Sequence, residues 1–170
     1  MARFDEVKTA FWGEGRYGVQ APLTDAAVRD AEARLGVRLP ASLLELLRVR
    51  NGGDVAESWN AYPTVVPTSW SDDHVPFDVL MGIRCVDGHD LSILDSTYLI
   101  EEWDLPSPCV LLSGDGHTWI ALDYRACGTD GDPSVTWFDA DDASELSLAR
   151  DFRTFVEGLR AATSFDDGEG

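Results

Sequence analysis

The chain has 170 residues, 44% of them hydrophobic and 26% charged, with a formal net charge of -18. That length holds one ordinary domain with a sizeable core, and that apolar content excludes a disordered polyelectrolyte. So acidic a surface repels phosphate backbones, which argues against nucleic acid as a partner, and no apolar run reaches the roughly 18 residues a membrane span needs.

The acidity is unevenly placed. Residues 1–71 carry 9 acids against 8 bases, whereas residues 72–170 carry 22 against 5. An acidic half of this kind attracts a basic protein and speeds encounter by steering; charge that serves solubility alone is the competing reading. The stretch from Met1 to Glu6 lacks the apolar core of a secretory signal. The cysteines at 85, 109 and 127 form no C-x-x-C pair. Buried free thiols in a reducing compartment are therefore expected, and with them a cytoplasmic location.

In chain order, Phe4, Val7, Phe11 and Trp12 fall at helical spacing over residues 3–12, and Gly13 and Gly15 close that stretch. After an irregular linker, Thr24 is a good N-cap, and Val28, Ala31 and Leu35 line one face up to a stop at Gly36. Pro40 suits a helix's first turn, and Leu43, Leu44, Leu46 and Leu47 form an apolar stripe that must be buried. Asn51-Gly52-Gly53 tolerates a left-handed cap and ends it.

Beyond Gly53 the pattern changes. Pro63 and Pro67 interrupt an aromatic stretch that reads as an irregular connection with one short strand. Val79 to Ile83 is a strand candidate, Gly88 to Asp90 a loop, and Leu94 to Trp103 a helix capped by Asp95 or Ser96, with Leu94, Tyr98, Leu99 and Trp103 facing inward. Cys109–Ser113 and Thr118–Tyr124 flank the turn Gly114–His117 as an antiparallel hairpin. Ser134–Phe138 is a further strand, Asp139 to Ser144 an acidic turn, and Leu148 to Leu159 a closing amphipathic helix. The expectation is an α+β fold: an antiparallel sheet of 4–6 strands packed on one face by helices, with the helix over residues 40–50 lying against it. Residues 1–163 form a single domain and 164–170 an acidic flexible tail. The apolar residues needed for a core leave no surplus patch that would fix an oligomeric state, and a monomer and a weak dimer both stay open.

Leu35-Gly36, Leu39-Pro40 and Asn51-Gly52-Gly53 resemble the opening signature of the SUKH superfamily, which includes the yeast cell-wall assembly regulator of the Smi/Knr type. Ser113-Gly114-Asp115-Gly116 with Ile120 to Arg125 is similar to that family's central hairpin, and Pro133-Ser134-Val135 with Trp137 and Asp139 to its next strand. Leu43 and Leu46 stand where family members often carry aromatics, a change of packing and not of fold. The resemblance implies a non-enzymatic domain, and bacterial members look chiefly like immunity proteins that block a co-produced toxin by direct binding. Their toxins are frequently nucleases with basic clefts. The acidic excess matches what such an antidote needs.

Candidate partner-binding residues follow from that match: the loop carboxylates Asp72, Asp73, Asp115, Asp130, Asp132, Asp141 and Asp142, with His117 and Trp119 beside the central turn. Trp119 is also read as a buried sheet residue, and the other tryptophans as mostly core. Metal chemistry has one candidate set, Asp115, His117 and Asp123, were they to converge at one hairpin end. The Asp-Gly-His spacings at 87–89 and 115–117 are equally what turns select. No G-x-S-x-G, H-E-x-x-H or dinucleotide fingerprint occurs, so no catalytic residue and no cofactor are expected.

Overall fold

The computed structural model describes residues 4–84 and 91–168; Cys85 and the turn through Asp87, Gly88, His89 and Asp90 lie outside them. Helices come first. The short α1 (Phe4–Thr9) buries Phe4 and Val7. The next, α2 (Asp25–Leu35), starts where Thr24 Oγ1 accepts from Ala27 N and ends at Gly36, which takes φ 69. Then α3 (Ala41–Val49) follows Pro40 and buries Leu43, Leu46 and Leu47. Local chemistry accounts for all three, because caps and apolar spacing act within one turn.

Two small ribbons come next, with more strand than the proline-broken sequence suggests. The pair β1 (Gly53–Asp54) and β4 (Val79–Leu80) is antiparallel, as is the pair β2 (Ala61–Pro63) and β3 (His74–Pro76). The helix expected over 94–103 is shorter. A 3-10 turn at Ile93–Asp95 leads into α4 (Ser96–Glu102), and the cap is Ser92, which forms a capping box with Asp95. Leu99 is buried there, but Tyr98 is 64% exposed, against the inward face assigned to it.

The principal sheet is an antiparallel meander of β5 (Cys109–Gly114), β6 (Thr118–Asp123), β7 (Ser134–Asp139) and β8 (Ser144–Ala149). Strands β6 and β7 pair without slippage from Thr118–Asp139 to Asp123–Ser134, and a register shift between Leu111 and Ser113 marks a bulge in β5. The last strand corrects the reading of residues 144–149, where an acidic turn and the start of a helix were expected. Helix α5 (Phe152–Glu157) begins only after Asp151, whose side chain caps Thr154 N. It packs against β7 and β8 and is met by α1 and α3. Phe152, Phe155, Val156, Leu43, Leu46 and Leu47 are thus parts of one core that runs through the sheet. A 3-10 segment, Ala162–Gly168, closes the chain, with Phe165 stacked on His74 at 4.3 Å between ring centres.

Asn51 locks the helices to this frame. It is 2% exposed, and its amide donates to Ala21 O and Ile83 O while accepting from Ile83 N, each at 2.8 Å. Expected as a helix stop, it acts as a junction between three distant segments. At the other end of the sheet, Tyr124 Oη donates to Arg38 O at 2.7 Å and Arg38 N to Thr129 O at 2.9 Å, tying the α2–α3 bend to the β6–β7 connection.

Candidate functional site

Antiparallel topology puts the β5–β6 and β7–β8 turns at one end of the sheet and the β6–β7 connection at the other. The nominated residues divide accordingly. Asp115 and His117 lie in the first turn, and Asp141 and Asp142 in the second, joined by Ala140 N donating to His117 O at 2.7 Å. Loop 64–73, the tip of the β2–β3 ribbon, reaches the same end, because Ser69 Oγ donates to Asp139 Oδ2. That bond brings Asp72 and Asp73 to this side. Asp130 and Asp132 are at the far end, lining a depression with Glu32 and Arg38.

Each turn carboxylate does local work while staying exposed. Asp115 Oδ1 accepts from His117 N at 2.8 Å and Thr118 N at 2.9 Å. Partial burial pulls its pKa upward, but those two backbone donors outweigh it and hold the carboxyl below the ordinary range. Asp142 is lowered by Ser144, and Asp73 by its hydrogen bond to His74 Nδ1 at 2.7 Å. His117 Nδ1 lies 3.2 Å from Asp141 Oδ1, and that hydrogen bond, with the charge behind it, raises the imidazole's pKa. The edge of Trp103 faces the same ring at 5.7 Å.

Between the loop 64–73 and the β5–β6 turn is a cavity of about 220 Å³. Trp70, Trp119 and Trp137 contribute its aromatic lining; Asp78, Asp115 and Ser113 contribute polar groups; among the described residues no lysine or arginine lines it. Trp119 is 2% exposed, so it is a sheet residue that also walls a pocket. Its indole N–H is buried without an acceptor among the described residues. Trp70 is 51% exposed and so departs from the core position expected of it. Val65 and Val66 are exposed on the same loop. Asp78 keeps an exposed edge, yet the desolvation its surroundings impose pushes its carboxyl above the usual range.

Trp70 and Asp78 were absent from the sequence-based candidates. A signal for Trp70 existed: it stands between Pro67-Thr68-Ser69 and Ser71-Asp72-Asp73, a proline-led polar run of the composition loops carry. Asp78 carried no comparable mark.

The supposed ligand set Asp115, His117 and Asp123 does not converge. Strand β6 separates His117 from Asp123, which puts them about 20 Å apart at roughly 3.3 Å per residue. Asp123 instead accepts from Arg125 Nε at 3.0 Å, Arg125 Nη2 at 2.8 Å and Thr136 Oγ1 at 3.0 Å. Burial works to raise its pKa, and these bonds reverse the direction. Among the described residues no group of three or more His, Cys, Asp or Glu is placed to hold a metal ion. No helix among them is long and apolar enough to cross a membrane.

The SMI1 / KNR4 family (SUKH-1) model matches residues 22–158, a span from the segment before α2 to the end of α5. No curated protein matches the chain.

Proposed function

This chain belongs to the SMI1 / KNR4 family (SUKH-1), and from that premise we propose that it is an immunity-type binding protein. Its partner would be a basic toxin, of which a nuclease is one kind, and its mechanism stoichiometric occlusion of the toxin's active or substrate-binding surface. The observation that carries this reading is the turn end of the sheet. Asp72, Asp73, Asp115, Asp141 and Asp142 are presented there around the exposed Trp70, Val65 and Val66. An apolar centre with a charged rim is the usual anatomy of a binding patch. The rim carboxylates steer a cationic partner, and the apolar centre holds it once docked. Aspartates are ionised at neutral pH without help, and the hydrogen bonds at Asp73, Asp115 and Asp142 lower their pKa values further.

The reading is tested with the protein encoded beside this gene. Association rates measured at 20 and 150 mM salt should fall by about tenfold as screening rises. A rate indifferent to salt overturns the acidic-surface mechanism. The second reading, a regulatory or scaffold module of the Smi/Knr type, draws on the same family membership and the same surface. A gene neighbourhood without a toxin favours it.

A further inference from the structure

We propose that the cavity between Trp70 and the β5–β6 turn receives one arginine side chain from the protein partner. This inference rests on the binding-protein reading and adds to it the residue type that anchors the complex. The cavity, at about 220 Å³, is smaller than the roughly 300–1,000 Å³ usual for small-molecule sites. It suits the head of a single side chain.

Its chemistry selects the charge of that head. Trp70, Trp119 and Trp137 offer aromatic surface, Asp78 and Asp115 offer carboxylates, and no lysine or arginine among the described residues lines the space. Asp78 accepts from Val55 N through its backbone carbonyl, and its carboxyl makes no hydrogen bond or ion pair among the described residues. The hydrogen bonds that Asp115 accepts from His117 N, Thr118 N and Thr118 Oγ1 all engage Oδ1, and among the described residues none engages Oδ2. A cation entering here gains ring attraction and two carboxylates at once. Arginine fits better than lysine, because a flat guanidinium stacks on an indole while directing N–H donors outward in its own plane. The wall is preorganised: Ser69 holds the loop to Asp139, and Thr68 Oγ1 accepts from Trp70 N at 3.2 Å. Little ordering is left to be done on binding.

The test uses the intact protein and small probes, so it does not depend on the partner. N-acetyl-arginine N-methylamide is titrated against its neutral near-isostere, N-acetyl-citrulline N-methylamide, and against the lysine analogue. Binding is read from the indole N–H resonances. The arginine probe should shift the Trp70, Trp119 or Trp137 signals with an affinity about fivefold above citrulline. In Trp70→Ala and in Asp78→Asn that preference should disappear, with the remaining indole signals unmoved. Equal response to arginine and citrulline, no response to 100 mM, or stronger binding of lysine overturns the proposal. If the neighbouring gene's product binds wild type and both variants alike, the pocket proposal fails and the functional reading survives. If that product binds none of them, the functional reading fails, and the probe titration still decides the pocket.

Discussion

The side chain of Asn51 closes a two-bond ring on the backbone of Ile83, donating to its carbonyl and accepting from its N–H, both at 2.8 Å. A primary amide does both jobs from one planar group, as a backbone peptide does, and keeps a second N–H to spare. The second Asn51 donor goes to Ala21 O, and Gln20 N donates to Asn51 O at 2.8 Å. The start of α2, the end of α3 and the segment before α4 therefore depend on one residue.

Replacing Asn51 by alanine should cost about 3 kcal/mol or more, because buried partners at Ile83 and Ala21 lose their bonds. Asn51→Asp should be as damaging at pH 7, since a carboxylate oxygen would face two carbonyls. It should recover in part at acidic pH, where a protonated carboxyl can donate again. Urea unfolding at pH 7 and pH 4.5 distinguishes these outcomes. A loss below 1 kcal/mol for the alanine variant would show that the junction is held by other contacts.

Gly82 and Gly36 are required for different reasons, and substitution separates them. A Cβ at Gly82 would lie 2.3 Å from Asn51 O, with the Asn51 carbonyl carbon at 2.6 Å. Backbone cannot yield as a flexible side chain can. At Gly36 nothing lies within 4 Å, and only φ 69 opposes a side chain. Gly82→Ala should therefore lose about 3 kcal/mol, and Gly36→Ala about 1 kcal/mol, the left-handed penalty alone. Comparable midpoints in thermal unfolding would contradict the assignment.

The contrast between these positions also explains how much of the molecule was legible in the sequence. Thr24, Gly36 and Pro40 act on their immediate neighbours, so α2 and α3 could be read directly. The β5–β6 hairpin was equally plain, its strands lying on either side of a glycine turn. Strand β8 was hidden because Leu148 stands four residues before Phe152 and imitates a helical stripe. Its own alternation, Glu145-Leu146-Ser147-Leu148, was present but short. The ribbons β1–β4 and β2–β3 join segments of two or three residues across distances no local pattern records. The site was half legible for the same reason. Loop carboxylates announce themselves by composition, while the pocket depends on Ser69 meeting Asp139 from 70 residues away.

Asp123 should govern part of the acid sensitivity. Its pKa is lowered in the folded protein despite burial, through Arg125 and Thr136. A depressed carboxyl stabilises the fold above its unfolded value, near 3.9, and that contribution is lost as pH falls through the folded value. Asp123→Asn should be less stable than wild type by about 1–3 kcal/mol at pH 7. The two proteins should converge as pH drops from 4 toward 2.5. Thermal midpoints across that range provide the measurement, and a constant gap would remove Asp123 from the acid transition.

The two ends of the sheet should contribute unequally to partner capture. At the turn end, Asp141 and Asp142 lie in the turn next to that of Asp115, which lines the cavity with the exposed Trp70 and, among the described residues, with no lysine or arginine. At the opposite end, Asp130 and Asp132 share a depression with Arg38 and Glu32, whose opposite charges offset each other, which leaves two carboxylates against the three at the turn end. Steering depends on the net field that an approaching partner meets. Asparagine keeps the acceptor that Asp142 supplies to Ser144 N, so Asp141→Asn with Asp142→Asn removes charge without removing the turn's bonds. That double variant should slow association with a basic partner by about threefold or more at 20 mM salt, and the difference should shrink at 150 mM. Asp130→Asn with Asp132→Asn should change the rate less than twofold. Dissociation should move little in either case, since exposed rim charges act chiefly on encounter. Equal slowing by both variants would mean that overall charge, and not the turn end, directs the approach.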